Sequence, residues 1–82
     1  MKTLRQAEVG KSYRVLKIHG AGPVRKRIMD MGLTKNSELF VRKVAPLGDP
    51  IQINLRNYEL SLRKDEAEII EVEEIQGGAH VN

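Results

Sequence analysis

The chain of 82 residues contains no cysteine, and this absence constrains the fold more than any other feature of the sequence. Disulfide bonds and thiolate metal sites, which stabilise many small domains, are both excluded. Folding of a chain this short buries only about 60% of its surface, so most large apolar side chains are needed for one core. We therefore expect a single domain over residues 1–75, a flexible tail over residues 76–82 and no deep substrate cavity, which argues against an elaborate enzyme.

The sequence carries no signal for export or membrane insertion. No apolar run approaches the roughly 18 residues that a membrane-spanning helix needs. Residues 1–8 also lack the apolar stretch of a signal peptide. Because a small domain without disulfides suits a reducing compartment, we expect a cytoplasmic protein that does not insert into a membrane directly.

Apolar and polar residues alternate through much of the chain, which is the pattern of β-strands. In the first strand, Tyr13 and Val15 are expected on one face, and Leu16 and Ile18 on the other. Asn57 is expected to adopt a positive φ in a tight turn between two later strands. The pattern predicts strands over residues 11–19, 38–44, 51–55, 58–62 and 68–75, with short helical turns near residues 3–6 and 63–67.

One longer helix is predicted from residue 23. Pro23 suits the first helical position, where its missing N–H would have no partner anyway. Gly32 can adopt the left-handed conformation that ends a helix in a Schellman motif, with Leu33 packing back on the last turn. The predicted apolar stripe of this helix consists of Val24, Ile28 and Met31.

The polar side of this helix is a candidate contact surface. Lys26 and Asp30 have the i, i+4 spacing of a helical ion pair. Arg27 is expected to lie over the sheet with its aliphatic stem buried. Met29 and Met31 are expected to fill the core rather than to line a ligand groove. The exposed face is predicted to carry Arg25, Lys26 and Asp30.

Short strands around one helix predict a mainly β fold, namely a small, strongly bent barrel. The barrel would have about five or six strands, one inserted α-helix and short helical turns. Closing the barrel would remove the exposed edges that a flat sheet of this size presents. An SH3-like barrel and an OB-like barrel both fit the periodicity.

Charge is distributed unevenly along the chain. Residues 1–27 contain eight Lys or Arg and one Glu, whereas residues 65–82 contain six Asp or Glu and no Lys or Arg. One interpretation is a basic face for nucleic acid or anionic lipid. The interpretation we favour is that the two ends of the chain pair as neighbouring strands and compensate each other. With one Phe, two Tyr and no Trp, the chain also has little of the aromatic surface on which single-stranded nucleic acid stacks.

Residues 46–50, with the sequence PLGDP, form a second candidate surface, which we call the 46–50 loop. Its two prolines restrict φ, and each also restricts the residue before it to extended geometry. Gly48 permits backbone conformations that other residues avoid, and Asp49 can accept hydrogen bonds from nearby amides. The loop is either a structural connection between strands or a stiff support that presents Leu47 for recognition.

Catalytic and metal-binding patterns are weak. Asp65, Glu66 and Glu68 could act as an acid/base pair or bind a metal, but a solvated acidic turn explains them more simply. A metal site shared by His19 and His80 would need a strand end and the tail to meet. We therefore expect no catalytic residue, no metal ligand and no cofactor.

Three stretches taken together resemble the FeoA family, which comprises ferrous iron transport protein A and its relatives. They are residues 25–33 (RKRIMDMGL), 46–51 (PLGDPI) and 62–67 (LRKDEA), and the resemblance runs from about residue 3 to residue 72. Two turns depart from the family pattern. Lys35 and Asn36 stand where Pro-Gly is common, and Asn57 stands where Gly is usual.

The resemblance implies an SH3-like barrel with a helix inserted between its early strands. It also implies a cytosolic accessory to a membrane ferrous iron permease that carries a GTP-binding domain. A similar barrel occurs as the C-terminal domain of iron-dependent repressors, where it is a regulatory interaction module. Fold alone does not establish function, but these relatives share protein–protein contact as their role.

The functional prediction is thus a non-enzymatic adaptor that binds the GTP-binding part of an Fe(II) permease and modulates uptake, with self-association as a further option. Leu47 would be its apolar anchor, and charged residues would set its orientation. Two alternatives are a basic nucleic-acid-binding barrel, although no stable nucleic acid complex is expected, and a transition-metal-binding regulatory domain that uses Glu66, Glu68 and His19. The expected partner-contact residues are Arg25, Lys26, Asp30, Leu47, Gly48, Asp49 and Pro50.

Overall fold

Six antiparallel strands form one sheet in the computed structural model, which describes residues 2–75. In chain order the strands are β1 (Lys2–Thr3), β2 (Ser12–Ile18), β3 (Glu38–Val44), β4 (Ile51–Leu55), β5 (Tyr58–Leu62) and β6 (Ile70–Ile75). Their order across the sheet is β1-β6-β2-β3-β4-β5, so the first and last of these strands are neighbours. The mainly β, SH3-like prediction is confirmed, and the tail predicted over residues 76–82 lies outside the described residues.

Three short helical segments connect the strands. A 3-10 turn covers Leu4–Gln6, α1 covers Pro23–Asp30, and α2 covers Lys64–Glu68. The backbone N–H of Thr3 donates to Oε1 of Gln6 at 2.9 Å, as the capping pattern predicts for the first turn. Because α2 continues to Glu68, β6 begins two residues later than the alternation predicts.

The end of α1 is a Schellman motif, as predicted. Gly32 has φ +103°, and its N–H donates to the carbonyl oxygen of Met29 at 3.0 Å. The N–H of Leu33 donates to the carbonyl oxygen of Ile28 at 3.3 Å. These two bonds satisfy carbonyl groups that the end of a helix leaves without intrahelical partners.

The apolar stripe of α1 is narrower than predicted. Ile28 is fully buried and Met31 packs against the core, but Val24 and Met29 are exposed. The prediction that Met29 fills the core is wrong. The fully buried side chains of Ile28 and Leu33 instead hold the helix and its C-terminal turn to the core.

A β-bulge changes which side chains of β2 face the core. Tyr13 and Val15 are buried, as predicted, but the pairing with β6 shifts register between Val15 and Lys17. An extra residue in one strand reverses the alternation beyond it. Ile18 is therefore buried together with Val15 rather than on the opposite face.

The β4–β5 turn differs from the prediction in one residue. Leu55 pairs with Tyr58 across a two-residue connection, and the positive φ falls on Arg56, at +54°, rather than on Asn57. Asn36, in the connection before β3, has φ +76°. Asparagine tolerates positive φ better than most other residues that carry a Cβ. Asn36 can therefore replace the glycine that is common in the family at this turn.

Pairing within the sheet leaves two edges. Among residues 2–75, β1 pairs only with β6, and β5 pairs only with β4, so hydrogen bonds do not join β5 to β1. The predicted complete closure is thus wrong for strand pairing. The inner face of the bent sheet still encloses one core, to which β4 contributes Ile51, Ile53 and Leu55. No helix within residues 2–75 has the length and hydropathy needed to cross a membrane.

Candidate functional site

The 46–50 loop is held by two local backbone hydrogen bonds. The N–H of Gly48 donates to the carbonyl oxygen of Ala45 at 2.7 Å, and the N–H of Ala45 donates to that of Pro50 at 3.1 Å. Gly48 has φ +82°, and the peptide bond between Asp49 and Pro50 is cis. At the tip, Leu47 is 86% exposed, the highest exposure of the large apolar side chains described.

Asp49 connects this loop to α2. Its Oδ1 accepts a hydrogen bond from the backbone N–H of Lys64 at 3.3 Å, as expected of an Asp near free amides. Lys64 is the first residue of α2, where backbone N–H groups lack intrahelical acceptors. This hydrogen bond therefore restrains the 46–50 loop and also gives an acceptor to one of the free N–H groups at the start of α2.

The predicted charged residues of α1 make local contacts. Nζ of Lys26 lies 3.3 Å from Oδ2 of Asp30, which confirms the i, i+4 pair, and both side chains are mostly exposed. The side chain of Arg25 is half-buried. Its Nε donates to the carbonyl oxygen of Ile18, at the end of β2, at 3.2 Å, and this bond fixes the direction of the side chain.

A shallow cleft of about 320 Å³ lies between α1 and the preceding glycine-rich connection. Arg25, Lys26 and Asp30 line it together with Met29, which is 39% exposed. The structure thus brings three predicted contact residues to one cleft. It also adds an exposed apolar side chain that the sequence pattern assigned to the core.

The loop and α1 are both tied to the first turn of α2. Glu66 is buried, with Oε1 accepting the N–H of Arg63 at 2.9 Å and Oε2 lying 3.3 Å from Nε of Arg27. Arg27 was expected over the sheet with a buried stem, but it is mostly exposed and pairs with α2 instead. No hydrogen bond or ion pair within the described residues joins the 46–50 loop directly to α1.

The three suggested metal ligands do not meet. Glu66 pairs with Arg27, Glu68 pairs with Arg5, and Nε2 of His19 lies 2.7 Å from Oε1 of Glu71. No group of three His, Asp or Glu side chains across residues 2–75 is placed to hold a metal ion. His80 lies outside the described residues.

The basic first third of the chain is largely compensated by acidic residues. For example, Nη1 of Arg14 lies 3.1 Å from a carboxylate oxygen of Glu73 on the neighbouring strand β6. The hydrogen bond that Lys11 donates to Glu8, and then the charge of Glu74, raise the pKa of Lys11 above its usual value. The preferred interpretation of the charge asymmetry is confirmed. Four of the eight basic residues in positions 1–27 form ion pairs with acids of residues 66–74, namely Arg5, Lys11, Arg14 and Arg27.

A larger cleft, of about 630 Å³, lies away from all the predicted contact residues. It is open and crosses β2, β3 and β4 near the turn at Arg56. No sequence motif indicates it, because strand pairing alone brings its lining together. Its side chains include Asn36, Glu38, Phe40, Asn54 and Ile75.

Comparison with known proteins identifies relatives of nearly the whole chain. Residues 2–74 match the family model of the FeoA domain. A curated relative, the Fe(2+) transport protein A/Fe(2+) transporter FeoB fusion protein of Porphyromonas gingivalis, is 36% identical over 76 residues. The match covers 93% of this chain but only 9% of the fusion protein, so the chain spans less than a tenth of that relative.

Solved structures give the same result. The FeoA-like protein from Clostridium acetobutylicum is 40% identical with a TM-score of 0.84, and the match covers 96% of this chain and 92% of that one. Iron(II) transport protein A from Clostridium thermocellum is 34% identical with a TM-score of 0.85, covering 90% and 46%. The Stenotrophomonas maltophilia FeoA, described as a prokaryotic SH3 domain protein and complexed with zinc, shares the fold at 22% identity and a TM-score of 0.76, covering 89% and 91%. The chain belongs to the FeoA domain family.

Proposed function

We propose that this FeoA chain is a cytoplasmic accessory protein of ferrous iron uptake that docks on the GTP-binding part of a membrane Fe(II) permease and modulates transport. The P. gingivalis fusion protein supports this proposal, because its name joins an iron transport protein A and an FeoB transporter in one polypeptide. Covalent fusion raises the effective concentration of one part for the other, which favours a contact between them. In this chain the contact would form between separate polypeptides.

The exposure of Leu47 on a restrained loop is the observation that carries the proposal. An apolar side chain that is 86% exposed gains roughly 1.5–3 kcal/mol when a partner buries it fully. Because hydrogen bonds already hold the backbone at Gly48 and Asp49, docking orders little additional chain. Leu47 therefore serves as the anchor, while Gly48, Asp49 and Pro50 keep it in place.

The charged residues of the α1 cleft would set the orientation of the complex. Lys26 and Asp30 are exposed and oppositely charged, and Arg25 is aimed by its bond to the β2 backbone. Charged groups at the rim of an interface steer association and exclude wrong registers more than they add affinity. Met29 adds an apolar contact inside the same cleft.

The proposal assigns no reaction to this chain. The buried carboxylate of Glu66, which would otherwise be a candidate acid or base, is held by an N–H donor and by Arg27. The first contact caps the start of α2, and the second joins α2 to α1. The exposed features of the site are an apolar tip and paired surface charges, which suit recognition.

Leu47→Asp is expected to abolish binding to the purified GTP-binding domain of the permease from the same organism. A carboxylate at the anchor would be desolvated in the complex without a partner, which is strongly unfavourable. Isothermal titration calorimetry at equal protein concentrations measures the loss. The matched control is Val9→Asp, since Val9 is also exposed, at 56%, but lies in the turn before β2. Equal binding by wild type and Leu47→Asp, or equal loss in both variants, would contradict the proposed surface.

Exchanging the charges of the α1 pair is expected to slow association without unfolding the protein. The variant Lys26→Asp/Asp30→Lys keeps an exposed pair, so the free energy of unfolding should change by less than about 0.5 kcal/mol. If these charges orient the complex, the association rate at low salt should fall several-fold, and salt should reduce the difference. Stopped-flow measurements at two ionic strengths test this, and an unchanged rate at low salt would remove α1 from the interface.

A further inference from the structure

Among the described residues, the strand β5 is an exposed sheet edge of five residues. It pairs with β4 on one side only, whereas the opposite edge, β1, is just two residues long. Natural proteins protect edge strands with proline, lysine, β-bulges or short length. The sequence of β5, YELSL, contains neither proline nor lysine. Its pairing with β4 continues without the register shifts found in the β2–β6 and β3–β4 pairs.

The register identifies the backbone groups that face outward from β5. Leu55 and Tyr58 flank a two-residue turn and therefore form a hydrogen-bonded pair. Alternation then directs the N–H and C=O groups of Leu60 toward β4 and those of Glu59 and Ser61 away from it. Glu59 and Ser61 are both exposed, and no strand or loop within residues 2–75 forms a backbone hydrogen bond with them.

Basic residues lie at both ends of this edge strand. Arg56 precedes β5, whereas Arg63 and Lys64 follow it. None of these three side chains has an ion pair among the described residues. The carboxylate of Glu59 is already paired with Arg42. Two nearby acids, Asp65 and Asp49, also have no ion pair among the described residues, and Asp49 accepts a hydrogen bond from the Lys64 backbone. Three unpaired cations thus lie near two unpaired carboxylates, so positive charge is in excess along the edge.

We propose that β5 is a docking edge for an extended, acidic peptide segment of another protein, which adds to the sheet as a seventh strand. Strand addition satisfies the outward N–H and C=O groups of Glu59 and Ser61 and gains affinity through main-chain hydrogen bonds. Carboxylates at the two ends of the segment would lie near Arg56 at one end, and near Arg63 and Lys64 at the other. Between them, apolar residues at alternate positions would lie beside Leu60, which packs on the core.

Charge argues against a second copy of this chain as the occupant in the register that pairs Glu59 of one copy with Ser61 of the other. A two-fold arrangement that pairs Glu59 with Ser61 of the second copy is centred on Leu60. The same register sets Arg56 opposite Lys64 of the second copy, at both ends of the contact. Like charges directly opposite each other destabilise a strand pair, whereas an acidic segment meets the same cations with opposite charge.

The test uses the full chain and a synthetic eight-residue peptide with two carboxylate residues at each end and alternating valine and threonine between them. NMR titration should show binding, and amide hydrogen exchange at Glu59 and Ser61 should slow by about tenfold or more in the complex. A control peptide with lysines in place of the carboxylates should bind at least about tenfold more weakly. No binding of the acidic peptide, equal binding of the lysine peptide, or unprotected Glu59 and Ser61 amides would overturn the proposal.

Ser61→Pro provides a sharper variant, with Ser61→Ala as its matched control. Proline is tolerated on an edge strand where the N–H faces solvent, so the ladder to β4 remains intact. The proline variant should bind the acidic peptide at least about tenfold more weakly, while the alanine variant binds as wild type. If circular dichroism shows that the proline variant is unfolded, Arg63→Glu replaces it, with the same loss expected. Unchanged binding by the folded variant, or dimerisation through β5 in sedimentation experiments, would overturn the proposal.

This edge is independent of the proposed contact at Leu47. Leu47→Asp should bind the acidic peptide as wild type does, and Ser61→Pro should still bind the permease domain. The peptide experiment thus tests only the β5 edge, and the permease experiment tests only the contact at Leu47. If one proposal fails, the result of the other experiment is unaffected.

Discussion

Gly32→Ala is expected to lower the free energy of unfolding by about 2–3 kcal/mol, a drop in Tm on the order of 10–20 °C for a domain of this size. Gly32 has φ +103°, a conformation that costs a residue with a Cβ roughly 1–2 kcal/mol. A Cβ at this position would also collide with the hydroxyl of Tyr58. That hydroxyl donates to the carbonyl oxygen of Met31 at 2.9 Å, so displacing it loses about 1 kcal/mol more.

Two further variants separate the backbone strain from the collision. Gly10 has φ +88° with open space around it, so Gly10→Ala should cost only the strain of about 1–2 kcal/mol. In a Tyr58→Phe background, Gly32→Ala should cost about 1 kcal/mol less than in wild type, because the colliding oxygen is gone. Thermal and urea unfolding measure all of these changes. Additive effects of Gly32→Ala and Tyr58→Phe would show that the hydroxyl does not restrict this glycine.

Glu66→Ala is expected to lower the free energy of unfolding by about 2 kcal/mol, because it removes the acceptor of the Arg63 N–H and leaves that partly buried donor unpaired. It also removes the ion pair that joins Arg27 of α1 to α2. Glu66→Gln is the matched control, since its amide oxygen can still accept the Arg63 N–H, and it should cost less than about 1 kcal/mol. Equal destabilisation by the two variants, measured by urea unfolding, would show that the N–H bond is not the main contribution.

The sequence predicts best those features that depend on neighbours in the chain. The Schellman end of α1 follows from Gly32 and Leu33 because both of its hydrogen bonds are local. The restraint of the 46–50 loop follows similarly from its prolines and glycine. The sequence does not indicate that Asp49 reaches Lys64, since the two residues meet only after β4 and β5 form their hairpin.

The predictions that failed concern contacts between distant elements. Nothing in the pattern around Val15 and Lys17 distinguishes a regular strand from a bulged one, because the bulge is defined against β6. The expectation that Met29 fills the core rests on the general use of methionine in cores, but its position on α1 places it in an exposed cleft. The open edge at β5 was missed for the same reason, since strand composition does not reveal whether a barrel closes by hydrogen bonding.

The central proposal is that the 46–50 loop contacts the GTP-binding part of an Fe(II) permease, and site-specific photo-crosslinking tests it most directly. A photoreactive aliphatic residue is placed at Leu47 in one preparation and at Val9 in another, and each is irradiated with the purified permease domain. The account predicts a crosslinked product from position 47, with the permease peptide identified by mass spectrometry, and none from position 9. Absence of a product at position 47 under conditions where the two proteins bind, or equal yields at both positions, would contradict it.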